Sequence, residues 1–132
     1  MAGRVTVANE LAPAIADFAR PSNGGIIIAA HALIAGNIGQ IVVLSNQHHL
    51  PSIYAFKILP TSGGLLSYGT KMTDIFRGAA IYTDRILNGE MPSDLPEQNP
   101  TRYQLVINHK TANALGIKPP LMILGRADEV IE

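Results

Sequence analysis

Apolar positions recur at helical spacing from Val7 through Leu11, Ala14 and Ile15 to Phe18, which predicts a helix over residues 7–19. Pro13 is compatible only with the first turn, so the regular helix starts later than the periodicity alone implies. Beyond the turn-forming stretch Pro21-Ser22-Asn23-Gly24-Gly25, Ile26-Ile27-Ile28-Ala29-Ala30 is apolar without alternation, the pattern of a parallel strand covered on both faces. Residues 37–50 then read as a crossover helix ending on His48-His49-Leu50 before Pro51. Ser52 to Phe56 read as the next parallel strand of a βαβ unit.

A third strand is predicted over Gly64-Leu65-Leu66-Ser67-Tyr68. A long amphipathic helix follows, with Met72, Ile75, Phe76, Ala79, Ala80, Thr83, Ile86 and Leu87 on one stripe and Asn88-Gly89 as its stop. Glu90 to Pro100 carries three prolines and no period, as expected of an extended surface connection. Tyr103 to Asn108 forms a fourth strand. A short helix over 110–115, a Pro119-Pro120 break and a final edge strand within 127–132 complete the chain. Helices alternating with strands predict one α/β domain over residues 1–132, in three layers αβα around a mostly parallel sheet.

Composition narrows the function. The chain has 132 residues, 47% hydrophobic, with ten basic and ten acidic side chains, enough apolar material for one core. Zero net charge without blocks of like charge removes the electrostatic footprint of a nucleic-acid binder or of a surface held to anionic lipid. With no cysteine, thiolate catalysis, disulfides and sulfur-ligated metals are excluded. The first residues, MAGRVTVANELAP, form neither a signal h-region nor a spanning segment, so the sequence reads as soluble and without an export address.

In open parallel α/β sheets, ligands sit beyond the carboxyl ends of the strands. That rule selects Ser67-Tyr68-Gly69 at the end of the third strand, His31 after the first, and Tyr54 with Phe56 after the second as candidate ligand contacts. A tyrosine there offers a ring face and one hydroxyl, and a glycine permits close backbone approach. An equally simple reading makes Tyr68 a cap on the core and Gly69 a turn residue. His48 and His49 are adjacent and point about 100° apart on a helix, so they cannot share one metal. His109 reads as a surface residue. No catalytic constellation, metal site or cofactor loop can be nominated, and an enzyme is not expected.

Taken in order, GGIII from Gly24, HLPSIY from His49, SGGLLSYG from Ser62, RGAAIYTDRILNG from Arg77, DLP from Asp94, LVINHKTA from Leu105, ALGI from Ala114 and RADEVIE from Arg126 are similar to the later part of bacterial ABC-transporter substrate-binding proteins. The resemblance covers nearly the whole chain. It implies a type I periplasmic-binding-protein fold, whose two α/β lobes close on a small solute, typically an amino acid, without chemistry. It also implies an ABC permease as partner and a periplasmic location, or a cytoplasmic one if Met1 is the natural start. This chain corresponds to the second lobe together with the segment that visits the first and returns. The helix over 71–88 would then pack on a lobe that this sequence does not contain. Its stripe would be left in water, unless the helix folds onto its own sheet or two copies exchange it into a homodimer, the favoured outcome. Many relatives carry a Pro-Asp pair where this sequence has Ala29-Ala30-His31-Ala32, which leaves the solute class open. A cytosolic ligand-sensing or interaction module on the same fold, and a truncated remnant that no longer binds solute, are the alternatives.

Overall fold

A computed structural model describes residues 5–21 and 24–132; Ser22 and Asn23 of the expected turn lie outside the described residues. A 3-10 turn at Ala8–Glu10 leads into α1 (Leu11–Ala19), which begins later than the periodicity, with Pro13 in its first turn. β1 (Ile26–Ile28) is followed by α2 (Ala32–Gly36), α3 (Ile38–Gln47), β2 (Ser52–Tyr54), α4 (Ile58–Thr61) and β3 (Leu66–Thr70). Then come α5 (Met72–Leu87), a 3-10 turn at Pro92–Asp94, β4 (Tyr103–Asn108), α6 (His109–Ala114), α7 (Leu121–Leu124) and β5 (Glu129–Ile131).

The five strands form one sheet in the order β1-β2-β3-β4-β5. All pairings are parallel except β3 with β4, which run antiparallel with Tyr68 opposite Leu105 and Gly69 opposite Gln104. The fold is therefore α/β with a mostly parallel sheet, as expected. One face carries Ile28, Tyr54, Ser67 and Val106 in register across neighbouring strands. Ile28 and Tyr54 on this face join Leu11 and Ile15 of α1, Ile41 and Val42 of α3, and Leu59 of α4 in the main core. Each fully buried aliphatic of this kind contributes about 1.5–3 kcal/mol relative to exposure.

The opposite face departs from the expectation of a first strand covered on both sides. Ile27 is 79% exposed while its neighbour Ile28 is 9% exposed, and Ile53 beside it is also exposed. An unbroken isoleucine run reports the apolarity of both faces but not whether an element covers each. The crossover is likewise two helices rather than one, interrupted at Asn37, whose side-chain amide donates to the Leu33 carbonyl at 2.7 Å.

β3 is shifted by two residues from its predicted span. The Gly64 N–H donates to the Leu59 carbonyl at 2.9 Å and Gly63 adopts a φ of 99°, so both glycines belong to the turn after α4. The far side of that turn is tied to α6. Asn108 caps α6 by accepting from the Thr111 N–H at 2.9 Å while its amide donates to the Pro60 carbonyl, and the Thr111 hydroxyl donates to the Gly63 carbonyl. No residue of α5 is buried, and Phe76, Ile81 and Leu87 stand among its exposed apolar side chains.

Candidate functional site

The carboxyl ends of β1, β2 and β3 and the amino end of β4 meet along one edge of the sheet. There a pocket of about 320 Å³ opens between the ends of β2 and β3, lined by Lys57, Ser67, Gly69, Thr70, Thr73 and Gln104 among others. This volume lies at the low end of small-molecule clefts. Short polar side chains surround a backbone floor, and α5 begins on the pocket's margin with Lys71, Met72 and Thr73. Its N-cap, Lys71, makes no side-chain capping bond, so the positive end of a 16-residue helix faces the pocket without a side-chain cap.

Lys57, like Lys71 a cation lining the pocket, is paired with β5. Its ammonium pairs with the Glu129 carboxylate at the start of β5, both side chains being substantially solvated. An exposed pair of this kind is worth about 0–1 kcal/mol, so Lys57 can exchange Glu129 for a ligand carboxylate at small cost.

The predicted contacts separate into three groups. Ser67 and Gly69 line the pocket, although they lie inside β3 rather than at its end, which falls at Thr70. Tyr68, between them, points to the other side of the sheet and is 58% exposed. Its ring stacks on Tyr103 with centroids 5.6 Å apart and planes 16° apart, the offset geometry that aromatic pairs prefer. His31, at the end of β1, is the N-cap of α2, its Nδ1 accepting from the Leu33 N–H at 3.2 Å.

Tyr54 is a correction to the sequence reading. It is 1% exposed, inside the main core, and its hydroxyl accepts a 2.8 Å hydrogen bond from the buried Ser52 Oγ. The side-chain alternation of a short strand turns Tyr54 inward, and a buried tyrosine needs such a partner for its hydroxyl. Phe56 is half-buried against the same core and does not line the pocket.

Gly69 has a packing cause of its own. A Cβ at that position would lie 1.9 Å from the Ala55 carbonyl oxygen, so the backbones of β3 and of the loop after β2 approach too closely for any other residue. Lys57, Thr70, Thr73 and Gln104 were not foreseen. Gln104 reaches the pocket because it pairs with Gly69 across the antiparallel ladder, and the local pattern does not specify that register. Among the described residues, no three histidine or acidic side chains gather to hold a metal ion.

The mostly parallel five-stranded sheet with its helices is a periplasmic-binding-protein-like α/β fold. The sequence matches the ABC transporter substrate binding protein family over residues 3–131, and the chain belongs to that family. A solved conserved domain protein from Vibrio cholerae is 27% identical with a TM-score of 0.88, over 97% of this chain and 43% of its own. The ABC domain of a Streptococcus pneumoniae protein, solved in complex with L-Trp, is 25% identical with a TM-score of 0.86, over 96% of this chain and 44% of its own. A substrate-binding protein with adhesive properties from Clostridium difficile, solved ligand-free and open, shares the fold at 20% identity and a TM-score of 0.64, over 97% of this chain and 42% of its own. No curated protein gives a match. The chain thus spans less than half the length of these solved relatives, and the family to which it belongs is one of solute-binding proteins.

Proposed function

We propose that this chain supplies one wall of a solute cleft in an ABC-type transport system outside the cytoplasmic membrane, handing a small solute of the amino-acid class to a permease without chemistry. The observation that carries the reading is the strand-end pocket onto which the uncapped start of α5 and the Lys57 ammonium both open. A helix start and a lightly held cation together favour a carboxylate. The hydroxyls of Ser67, Thr70 and Thr73 and the amide of Gln104 supply the remaining polar partners. An aromatic amino acid is the favoured solute. The L-Trp complex of a relative supports this, and the exposed Tyr68–Tyr103 stack, on the other face of the sheet, offers ring faces to a planar side chain that reaches over the strand ends from the pocket. His31 and Phe56 flank the site from the ends of β1 and β2.

The same reading includes self-association. The uncovered stripe of α5 supports a homodimer in which each copy covers the other's helix.

A melting-temperature screen against single amino acids at millimolar concentration tests the solute. L-tryptophan is expected to raise the midpoint more than alanine or glutamate does. The increment should shrink in Lys57→Met, where the carboxylate loses its cation, and in Tyr68→Ala, where the ring face is lost. Equal response to every amino acid, or to none, contradicts the reading.

A further inference from the structure

A second concavity lies on the far side of Lys71, meeting the strand-end pocket only at Thr70 and Lys71. It is a groove of about 450 Å³ between α5 and the returning connection at residues 98–102. The groove is braced by Tyr82, whose hydroxyl donates to the Pro96 carbonyl and holds the connection against the helix.

Its chemistry is dominated by one carboxylate between two guanidinium groups. Arg77 Nη1 donates to Asp74 Oδ1 at 3.2 Å, and Arg102 Nη1 stands 3.7 Å from Asp74 Oδ2. That second distance is an ion pair but not a hydrogen bond, and Oδ2 is buried without a hydrogen-bond partner. Asp74 is mostly covered, whereas Arg77 and Arg102 are 71% and 74% exposed, so most of their N–H groups face solvent. With Lys71, three positive charges line the groove against the single negative charge of Asp74. Ile75, Ala79 and Ile81 give it an apolar wall.

We propose that this groove docks an acidic segment of a partner protein. Its carboxylates would be held in bidentate fashion by Arg77 and Arg102, and its apolar side chains would lie against Ile75 and Ile81. The excess positive charge selects the carboxylates, since guanidinium forks match them in geometry. The apolar wall selects a peptide over a free inorganic anion, which would leave that wall in water.

The test titrates the full chain, followed by backbone amide resonances, with three probes: an acetylated hexapeptide alternating glutamate and leucine, its glutamine analogue, and inorganic phosphate. The acidic peptide is expected to shift the amides of Lys71, Arg77, Gly78 and Arg102 saturably, and the glutamine analogue to leave them in place. The double variant Arg77→Gln, Arg102→Gln should weaken the acidic peptide by about tenfold. Its circular-dichroism spectrum should match that of the wild type, which separates loss of the two guanidinium groups from loss of the fold. Peptide affinity insensitive to the double variant, equal binding of the glutamine analogue, or phosphate reproducing the shifts while the peptide produces none, would each overturn the proposal.

Discussion

At Gly69 the fold and the candidate site make demands on the same atom. The Ala55 carbonyl oxygen occupies the space of a side chain there, so Gly69→Ala must push apart β3 and the loop after β2. Overpacking of this kind costs about 1–3 kcal/mol, and urea denaturation of the variant should show a loss in that range. Because the strained contact forms the pocket floor, solute binding should weaken together with stability. Wild-type stability in Gly69→Ala would mean that the two backbones separate freely. Tyr68, one residue earlier, behaves differently: its exposed ring touches Tyr103 and little of the core, so Tyr68→Ala should alter binding while leaving stability nearly intact.

At the scale of elements, the 3-10 turn that leads into α1 is held by Glu10. Its carboxylate accepts from the Thr6 N–H at 2.8 Å, the Val7 N–H at 3.3 Å and the Thr6 hydroxyl at 3.1 Å. These bonds, the one from the Thr6 backbone foremost, hold its pKa below the ordinary 4.5. A lowered folded-state value means that the contribution is complete above the ordinary carboxylate range and is lost as pH falls through the lowered one. Carbon-detected titration of Glu10 should therefore give a midpoint below 4.5, with the Thr6 and Val7 amides moving at the same pH. A midpoint at the ordinary value would contradict these hydrogen bonds.

The legibility of the chain also divides at this scale. β4 and the stripe of α5 follow from local pattern, because six residues rich in β-formers and sixteen with a 3.6 period each carry enough signal. β1 and β2 are three residues each, too short for alternation to distinguish a one-sided strand from a two-sided one. Local pattern also could not place β3, since Gly63 and Gly64 serve a turn defined by contacts with α4 and α6. Of the residues that line the pocket, Ser67 and Gly69 follow from the strand-end rule. Lys57, Thr73 and Gln104 depend on register and on where α5 begins, and those are tertiary facts.

For the whole molecule, the distribution of apolar surface is the main feature. One sheet face is closed by α1 and α3, while Ile27 and Ile53 on the other face, and the stripe of α5, remain open to solvent. Such surface favours association. Light scattering over a dilution series is expected to show a dimer that dissociates on dilution, and Phe76→Ser to shift it toward monomer. The variant's own folding stability should change by no more than about 0.5 kcal/mol, as for other exposed positions. A monomer at every concentration would contradict the homodimer.

Solute binding at the carboxyl ends of β2 and β3 underlies the proposed function. Its most direct test is a titration of the isotopically labelled chain with L-tryptophan, read residue by residue through the backbone amides. Saturable shifts are expected at Lys57, Gly69 through Thr73 and Gln104, with little change along the exposed stripe of α5. Shifts absent at millimolar L-tryptophan, or confined to that stripe, would contradict it.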